Sequence, residues 1–292
     1  MSSYARRGRA VSAAVWDVLL SAASQMPERG AYALARAVGR TEYGVRRRAI
    51  PMRPEHRALA ATPRQLEQWR RRSCELKAYE ELDLRRAARS RPPSCAGAVT
   101  LQGVEHLDAA LAAGKGAILY SVHVRGNYTM FGLLGELGYP INIVRLDPPR
   151  DPGAAWRHWR QVARRGELLE GLGCRFLGMA QEQFGVAVKA ANALRRNEVV
   201  VTQVDVLHSR QTVDVRLFGG HTRLISGHAV LAQLTGAPLL SYYVHRASDW
   251  RSHVAEIGPP LHVLNGRLDA AVQESATLLE PSIVRSPAQW YI

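Results

Sequence analysis

The run Gly116 to Val122 (GAILYSV) is almost wholly apolar, too short for a helix, and followed at once by the polar turn His123-Val124-Arg125-Gly126-Asn127 and a helical pattern through Leu137 that stops at Gly138. A strand with no polar alternation must be covered on both faces, and a strand that feeds directly into a helix reads as part of a βαβ unit. The pattern recurs. Ile141 to Leu146 reads as a second buried strand, 153–171 as a helix, Cys174 to Leu177 as a strand and 181–196 as a helix. Glu198 to Asp205 and Gln211 to Phe218 read as two more strands, the latter alternating at Val213, Val215 and Leu217. Ser226 stands in the N-cap position of a helix to Thr235 that Gly236 stops. Leu239 to His245 and His253 to Ile257 supply further strands before a closing helix from Leu268 to Val284. The alternation predicts an α/β fold: a mixed, mostly parallel central sheet with helices on both faces.

The first third has a different texture. Residues 10–48 read as helix, divided at Pro27, with Trp16, Leu19, Leu20, Ala23, Tyr32, Leu34 and Val38 on one stripe and the block Arg46-Arg47-Arg48 at the end. A connector marked by Pro51, Pro54 and Pro63 leads to a helix over 64–88, whose apolar stripe of Leu66, Trp69, Leu76, Tyr79 and Leu82 runs beside Arg70, Arg71, Arg72, Arg85 and Arg86. The expected organisation is a basic helical region, 1–91, packed on an α/β domain, 92–292. The alternative for the second helix is to lie on a membrane.

Residues 1–91 hold 20 Lys/Arg against 9 Asp/Glu, so +11 of the chain's net +14 is N-terminal. Such a field favours phosphate-rich partners, either an anionic membrane face or an RNA backbone. Only three of the 39 cations are Lys, so Arg-rich source composition is a competing explanation. A 47% hydrophobic and 22% charged composition excludes a disordered chain, and no apolar run reaches the roughly 18 residues that a spanning helix requires. Residues 11–26 read as the start of a helix rather than a cleavable signal, because Asp17 interrupts them. Cys74, Cys95 and Cys174 are odd in number and lack ligand spacing, so neither a disulfide framework nor a metal site is expected. A reducing cytoplasm fits, with peripheral attachment to the inner face of the cell membrane as the variant.

Reactive groups in α/β sheets collect beyond the carboxyl ends of strands. His123 stands there, ahead of a helix N-terminus whose amides favour an anion. The stretch GVEHLDAALAAGKGAILYSVHVRGNY (Gly103 to Tyr128) resembles the lead-in helix, glycine turn, strand and histidine block of the lysophospholipid acyltransferase superfamily, in the branch that acylates lipid A and phosphatidylinositol mannosides. INIVRLDPPRDP, VVTQVDV and VRLFGGHTRLISGHAVLAQLTGAPLLSYYVHR resemble its later blocks, and LLEPSIVRSPAQWYI its closing helix and Pro-x-Gln-Trp end. The likeness covers about residues 95–292. It implies acyl transfer from an activated (thio)ester, with acyl-CoA or acyl carrier protein as donor and a glycolipid acceptor at the membrane's inner face; the charge of residues 1–91 adds an aminoacyl-tRNA donor with a small amine or hydroxylamine acceptor as the alternative, and no bound cofactor and no metal are expected.

Members of that superfamily pair the histidine with an acid in His-x4-Asp/Glu; here the corresponding position is Tyr128, or Thr129 if Arg125 is an insertion. Three explanations stand: another carboxylate, Asp205 or Asp147, reaches His123; the acceptor is an amine or hydroxylamine that needs less help from a base; or the chain is a non-catalytic relative that binds a lipid or an anion. The catalytic candidates are therefore His123, Asp205 and Tyr128. The resemblance implies that Arg145 contacts phosphate or the acyl-donor head group, with a salt bridge at the strand end as the alternative, and that Arg216, Gly219 and Arg223 form an acceptor block. Gln203 stands in a polar pair whose acid Thr202 replaces, while Arg125, Gly126 and Asn127 border the histidine. His221, His228, Trp156, Trp159, Trp290 and Phe218 read as surface or packing residues.

Overall fold

The computed structural model describes residues 15–46, 53–147, 156–179, 183–206, 211–264 and 266–291. Arg47, Arg48, Pro51 and the parts of the expected helices at 10–14, 153–155 and 181–182 lie outside the described residues, as does the Trp156 side chain. The elements run α1 (15–23), α2 (Glu28–Arg46), α3 (Pro54–Leu59), α4 (Pro63–Arg89), β1 (Val99–Gln102), α5 (Val104–Ala112), β2 (Ala117–Ser121), α6 (Asn127–Glu136), β3 (Ile141–Leu146), α7 (Trp156–Gly171), β4 (Arg175–Met179), α8 (Gln183–Arg195), β5 (Val199–Gln203), β6 (Thr212–Leu217), β7 (Gly220–Ile225), α9 (Gly227–Thr235), β8 (Leu239–Arg246), β9 (His253–Leu261) and α10 (Leu268–Arg285). A 3-10 turn, Pro287–Gln289, follows.

Seven strands form one sheet in the order β1-β9-β8-β2-β5-β3-β4. Neighbours are parallel except β8 and β9, so the expected mixed, mostly parallel sheet is what forms. The apolar run of β2 lies at its centre between β8 and β5, and all five of its residues are buried. Alternate residues serve two helical layers. On one face Tyr242 of β8 meets Phe131 of α6, with ring centroids 5.5 Å apart, and α6 packs on α4 and α7. On the other, Tyr120 of β2 stacks on His228 of α9 at 5.3 Å, and α9 packs on α8 and α10.

The N-terminal helices build a second, smaller core. Trp16, Leu20 and Ala23 of α1 and Ala31, Ala35 and Val38 of α2 close on Leu76, Tyr79 and Leu82 of α4. Gly39 makes the α2–α4 approach possible, since a Cβ there would stand 2.6 Å from the Glu75 Cα. Leu84 and Ala87, further along α4, belong to the main core, so the amphipathic stripe of this helix is used within the protein. Among the described residues no helix is long and apolar enough to cross a membrane.

Three details differ from the sequence reading. β1 and β7 were not anticipated: the first is four residues long, and the second pairs with β6 in a separate antiparallel hairpin. β9 continues past Ile257 through Pro259 and Pro260 to Leu261. Its register with β1 ends at Glu256, and beyond that point no strand needs the amides the prolines lack on that side. Ser226 precedes α9 but makes no cap; its hydroxyl turns to the Gln211 carbonyl at 3.4 Å. Gly236 does terminate α9, at φ +73°.

Candidate active site

β2 and β5 lie in parallel register with Ser121 opposite Gln203, so the residues two positions beyond each strand, His123 and Asp205, arrive side by side. The His123 Nδ1 is 2.6 Å from Asp205 Oδ1, and the His123 backbone amide donates to the same carboxylate at 3.1 Å. The acid side chain is fully buried and the imidazole is 23% exposed, so the carboxylate is the inner and the ring the outer member of the pair. With Nδ1–H directed to the acid, Nε2 is left as the outward, basic nitrogen. Burial alone would raise the Asp205 carboxyl. The charge and hydrogen bond of His123, the Arg53 guanidinium and the Trp290 indole outweigh it and hold the group below the ordinary carboxylate range.

Two of these supports escaped the sequence reading. Trp290, expected only to pack, also donates Nε1–H to Asp205 Oδ2 at 2.7 Å. It is delivered by the chain's end, which runs antiparallel to the histidine turn: Arg125 N donates to Gln289 O and Tyr291 N to His123 O, each at 2.9 Å. Arg53 donates to Oδ2 and to the Asp205 carbonyl, both at 3.2 Å, while lying over the Trp290 ring. Glu80 of α4, which supports the histidine turn rather than the acid, was also missed. Fully buried, it accepts from the Gly126 amide at 3.0 Å and from Arg125 Nη1 at 3.3 Å, fastening the N-terminal helices to the histidine turn. Gly126 sits at φ +89°, where a side chain would also strike the His253 ring.

Arg125 is thus paired with Glu80, and it lies 3.7 Å over the Tyr291 ring, whose edge faces His123. Tyr128 does not join the dyad. It packs edge-on to Phe131 with Arg165 over its ring, and burial raises its phenol. Thr129 is buried with its hydroxyl unpartnered, and Asp147 is exposed at the end of β3 with its carboxylate over Gly178. Asn127 is buried at the start of α6, and Gln203 donates to the Tyr242 hydroxyl at 3.2 Å. Arg145 lies 3.7 Å over Phe176; among the described residues it has no carboxylate partner.

Arg216, Gly219 and Arg223 lie on the β6–β7 hairpin, with both arginines exposed and Arg223 opposite Asp214. The hairpin turns on Phe218 at φ +53° and Gly219 at φ +73°. Its link to the dyad is indirect, through the Phe218 ring 6.3 Å from Trp290 and the Thr222 hydroxyl on Glu55, which in turn meets Arg53 at 3.4 Å. His228 is buried and His221 exposed.

A strand-end histidine on a buried acid, at the carboxyl edge of a two-layered sheet, is a hydrogen-bonded His–Asp dyad placed where α/β enzymes carry their chemistry. Residues 82–292 match the profile of the bacterial lipid A biosynthesis acyltransferases, and the chain belongs to that family. It is similar to a phosphatidylinositol mannoside acyltransferase of Mycobacterium tuberculosis, 31% identical over 192 residues that cover 65% of this chain and 57% of the relative. A protein of the same description from Mycolicibacterium smegmatis is 30% identical over 193 residues, 65% of this chain and 59% of the relative. The chain therefore spans less than two thirds of the length of these relatives.

Proposed function

We propose that this protein is an acyltransferase in which His123 is the general base and Asp205 its orienting acid, standing in for the acid absent at Tyr128 and Thr129. The observation that carries the reading is the 2.6 Å contact between His123 Nδ1 and the buried Asp205 carboxylate. Nε2 takes the proton of an acceptor hydroxyl or amine as the acceptor oxygen or nitrogen attacks the donor carbonyl carbon. The Asp205 charge stabilises the imidazolium, which then protonates the leaving thiolate or alkoxide as the acyl C–S or C–O bond breaks. The first amides of α6, at Asn127 and Tyr128, have no carbonyl one turn back and are the donors for the developing oxyanion. Arg145, without a carboxylate partner among the described residues, is the contact for a phosphate-bearing donor.

The relatives' description names a phosphatidylinositol mannoside acceptor, which makes a glycolipid at the inner membrane face the first acceptor to offer. The donor is acyl-CoA, acyl carrier protein or, given the charge of residues 1–91, an aminoacyl-tRNA. The test offers purified wild type and His123→Ala all three donors in parallel, with and without hydroxylamine as a simple nucleophile. Loss of one donor that depends on His123 is expected and identifies the donor class. No loss from any donor in either protein overturns the reading and favours a non-catalytic binding role.

A further inference from the structure

Four guanidinium groups converge on one carboxylate at the α2–α4 surface. Glu75 of α4, almost fully buried, meets Arg40 Nε at 2.9 Å, Arg72 Nη1 at 2.9 Å, Arg71 Nε at 3.6 Å and Arg36 Nε at 3.7 Å. Among the described residues it is the acid these four share, so three of the charges lack a counter-charge there. Arg36, Arg40 and Arg71 are 47%, 44% and 48% exposed. An aromatic ring adjoins them: Arg72 lies over Trp250, which is 38% exposed in the β8–β9 turn.

That turn is built to hold the ring where it is. Trp250 sits at φ +64°, a conformation bulky residues avoid. Its carbonyl is gripped by Arg246 Nε at 2.9 Å and Nη2 at 2.8 Å, and Arg246 is itself buried against Asp83. Asp249 accepts from the amides of Arg251 and Ser252, fixing the rest of the turn. Trp250 also packs on Tyr79, with ring centroids 6.4 Å apart, so it is the exposed remainder of the ring, held by a strained backbone and a buried ion pair beside a net-cationic cluster, that is open to a partner.

We propose that this face binds single-stranded or loop RNA, with Arg36, Arg40 and Arg71 on successive phosphates and Trp250 stacked on an unpaired base. Guanidinium charge plus an aromatic platform is the combination single strands require. An anionic bilayer would instead call for apolar side chains beside the cations. Val45, exposed on α2, lies five residues from Arg40 and roughly 140° around the helix. Val15 and Val18 are exposed on α1, whose Asp17 pairs with Arg85 and Arg164 rather than with the Glu75 cluster.

The proposal is independent of acyl transfer, because it is tested without donor turnover. Binding of a labelled short single-stranded RNA and of deacylated tRNA is followed by anisotropy and tryptophan fluorescence across a salt series, beside sedimentation with phosphatidylglycerol liposomes. Arg40→Ala and Arg71→Ala should each reduce the slope of log affinity against log salt by about one, in proteins whose circular dichroism shows them still folded. Trp250→Gly, which takes this φ without strain, should weaken binding about tenfold and leave the slope alone. RNA binding indifferent to these substitutions, no RNA binding, or liposome binding that the arginine variants abolish would each overturn the proposal.

Discussion

Asp205 receives its hydrogen bonds from three separated parts of the chain: the His123 ring and amide, the Trp290 indole and the Arg53 guanidinium. In Asp205→Asn the amide NH2 group faces donors where a carboxylate had accepted, and the imidazole loses the partner that keeps its proton on Nδ1. Turnover in the donor-consumption assay should fall by about 10⁴, the scale seen when a dyad or triad acid becomes an amide. Unfolding should also be easier by roughly 3 kcal/mol, because Arg53 then keeps, among the described residues, Glu55 alone as a buried counter-charge. A full rate in Asp205→Asn would remove the acid from the proposed mechanism. His123 was legible because a strand, a polar turn and a helix follow one another locally, and Asp205 because it ends an adjacent apolar run. Trp290 and Arg53 were not. They reach the acid across 85 and 152 residues, and no local pattern records a contact of that range.

At the scale of the element, α4 does more than its apolar stripe announces. Glu75, Glu80, Glu81 and Asp83 are all buried on it, and each is paired with arginine: Glu80 with Arg125, Glu81 with Arg165 and Asp83 with Arg246. Buried carboxylates are costly unless paired, so the helix is locked in one register against α7, β8 and the histidine turn. Glu80→Ala would leave the Gly126 amide and the Arg125 guanidinium without their acceptor inside the protein. The expected cost is about 3–5 kcal/mol in urea unfolding, together with a lower kcat as the histidine turn loosens. Glu80→Gln keeps an acceptor for the Gly126 amide and should recover part of both; equal loss in the two variants would show that charge alone matters. The sequence pattern located α4 to within a residue at each end, yet its stripe of apolar residues and arginines singled out none of the acids that become buried. The β6–β7 hairpin was half legible for a related reason. Val213, Val215 and Leu217 alternate clearly, but the turn at Phe218-Gly219 carries no Asn-Gly or Asp-Gly signal.

Across the whole molecule, protons act on a chain that already carries a formal net charge of +14. Burial between β2 and α10 depresses the His228 imidazole from 6.5 to about 4; it stacks on Tyr120 and meets Ser275 at 3.2 Å. Burial and the neighbouring Arg246 bring His253 down to about 4 as well. Both rings stay neutral in the folded protein, whereas the unfolded chain takes up their protons below 6.5. Stability should therefore decline as pH falls from 6.5 to about 4 and the His contribution should level off below that. Asp205 then extends the decline: its carboxyl is held below 3.8, so the stability it contributes above that pH is lost as pH falls towards the folded value. His228→Phe keeps an aromatic ring against Tyr120 and removes one titrating group. In a urea series over this range, its stability should lose about 3 kcal/mol less than wild type between 6.5 and 4, following from the 6.5-to-4 depression. The Arg-rich surface works in the same direction, since each proton added adds self-repulsion, and salt should soften that part of the decline but leave the His228 part in place. Wild-type and His228→Phe curves that run parallel would remove His228 from the acid sensitivity and leave it to His253, Asp205 and the surface charge.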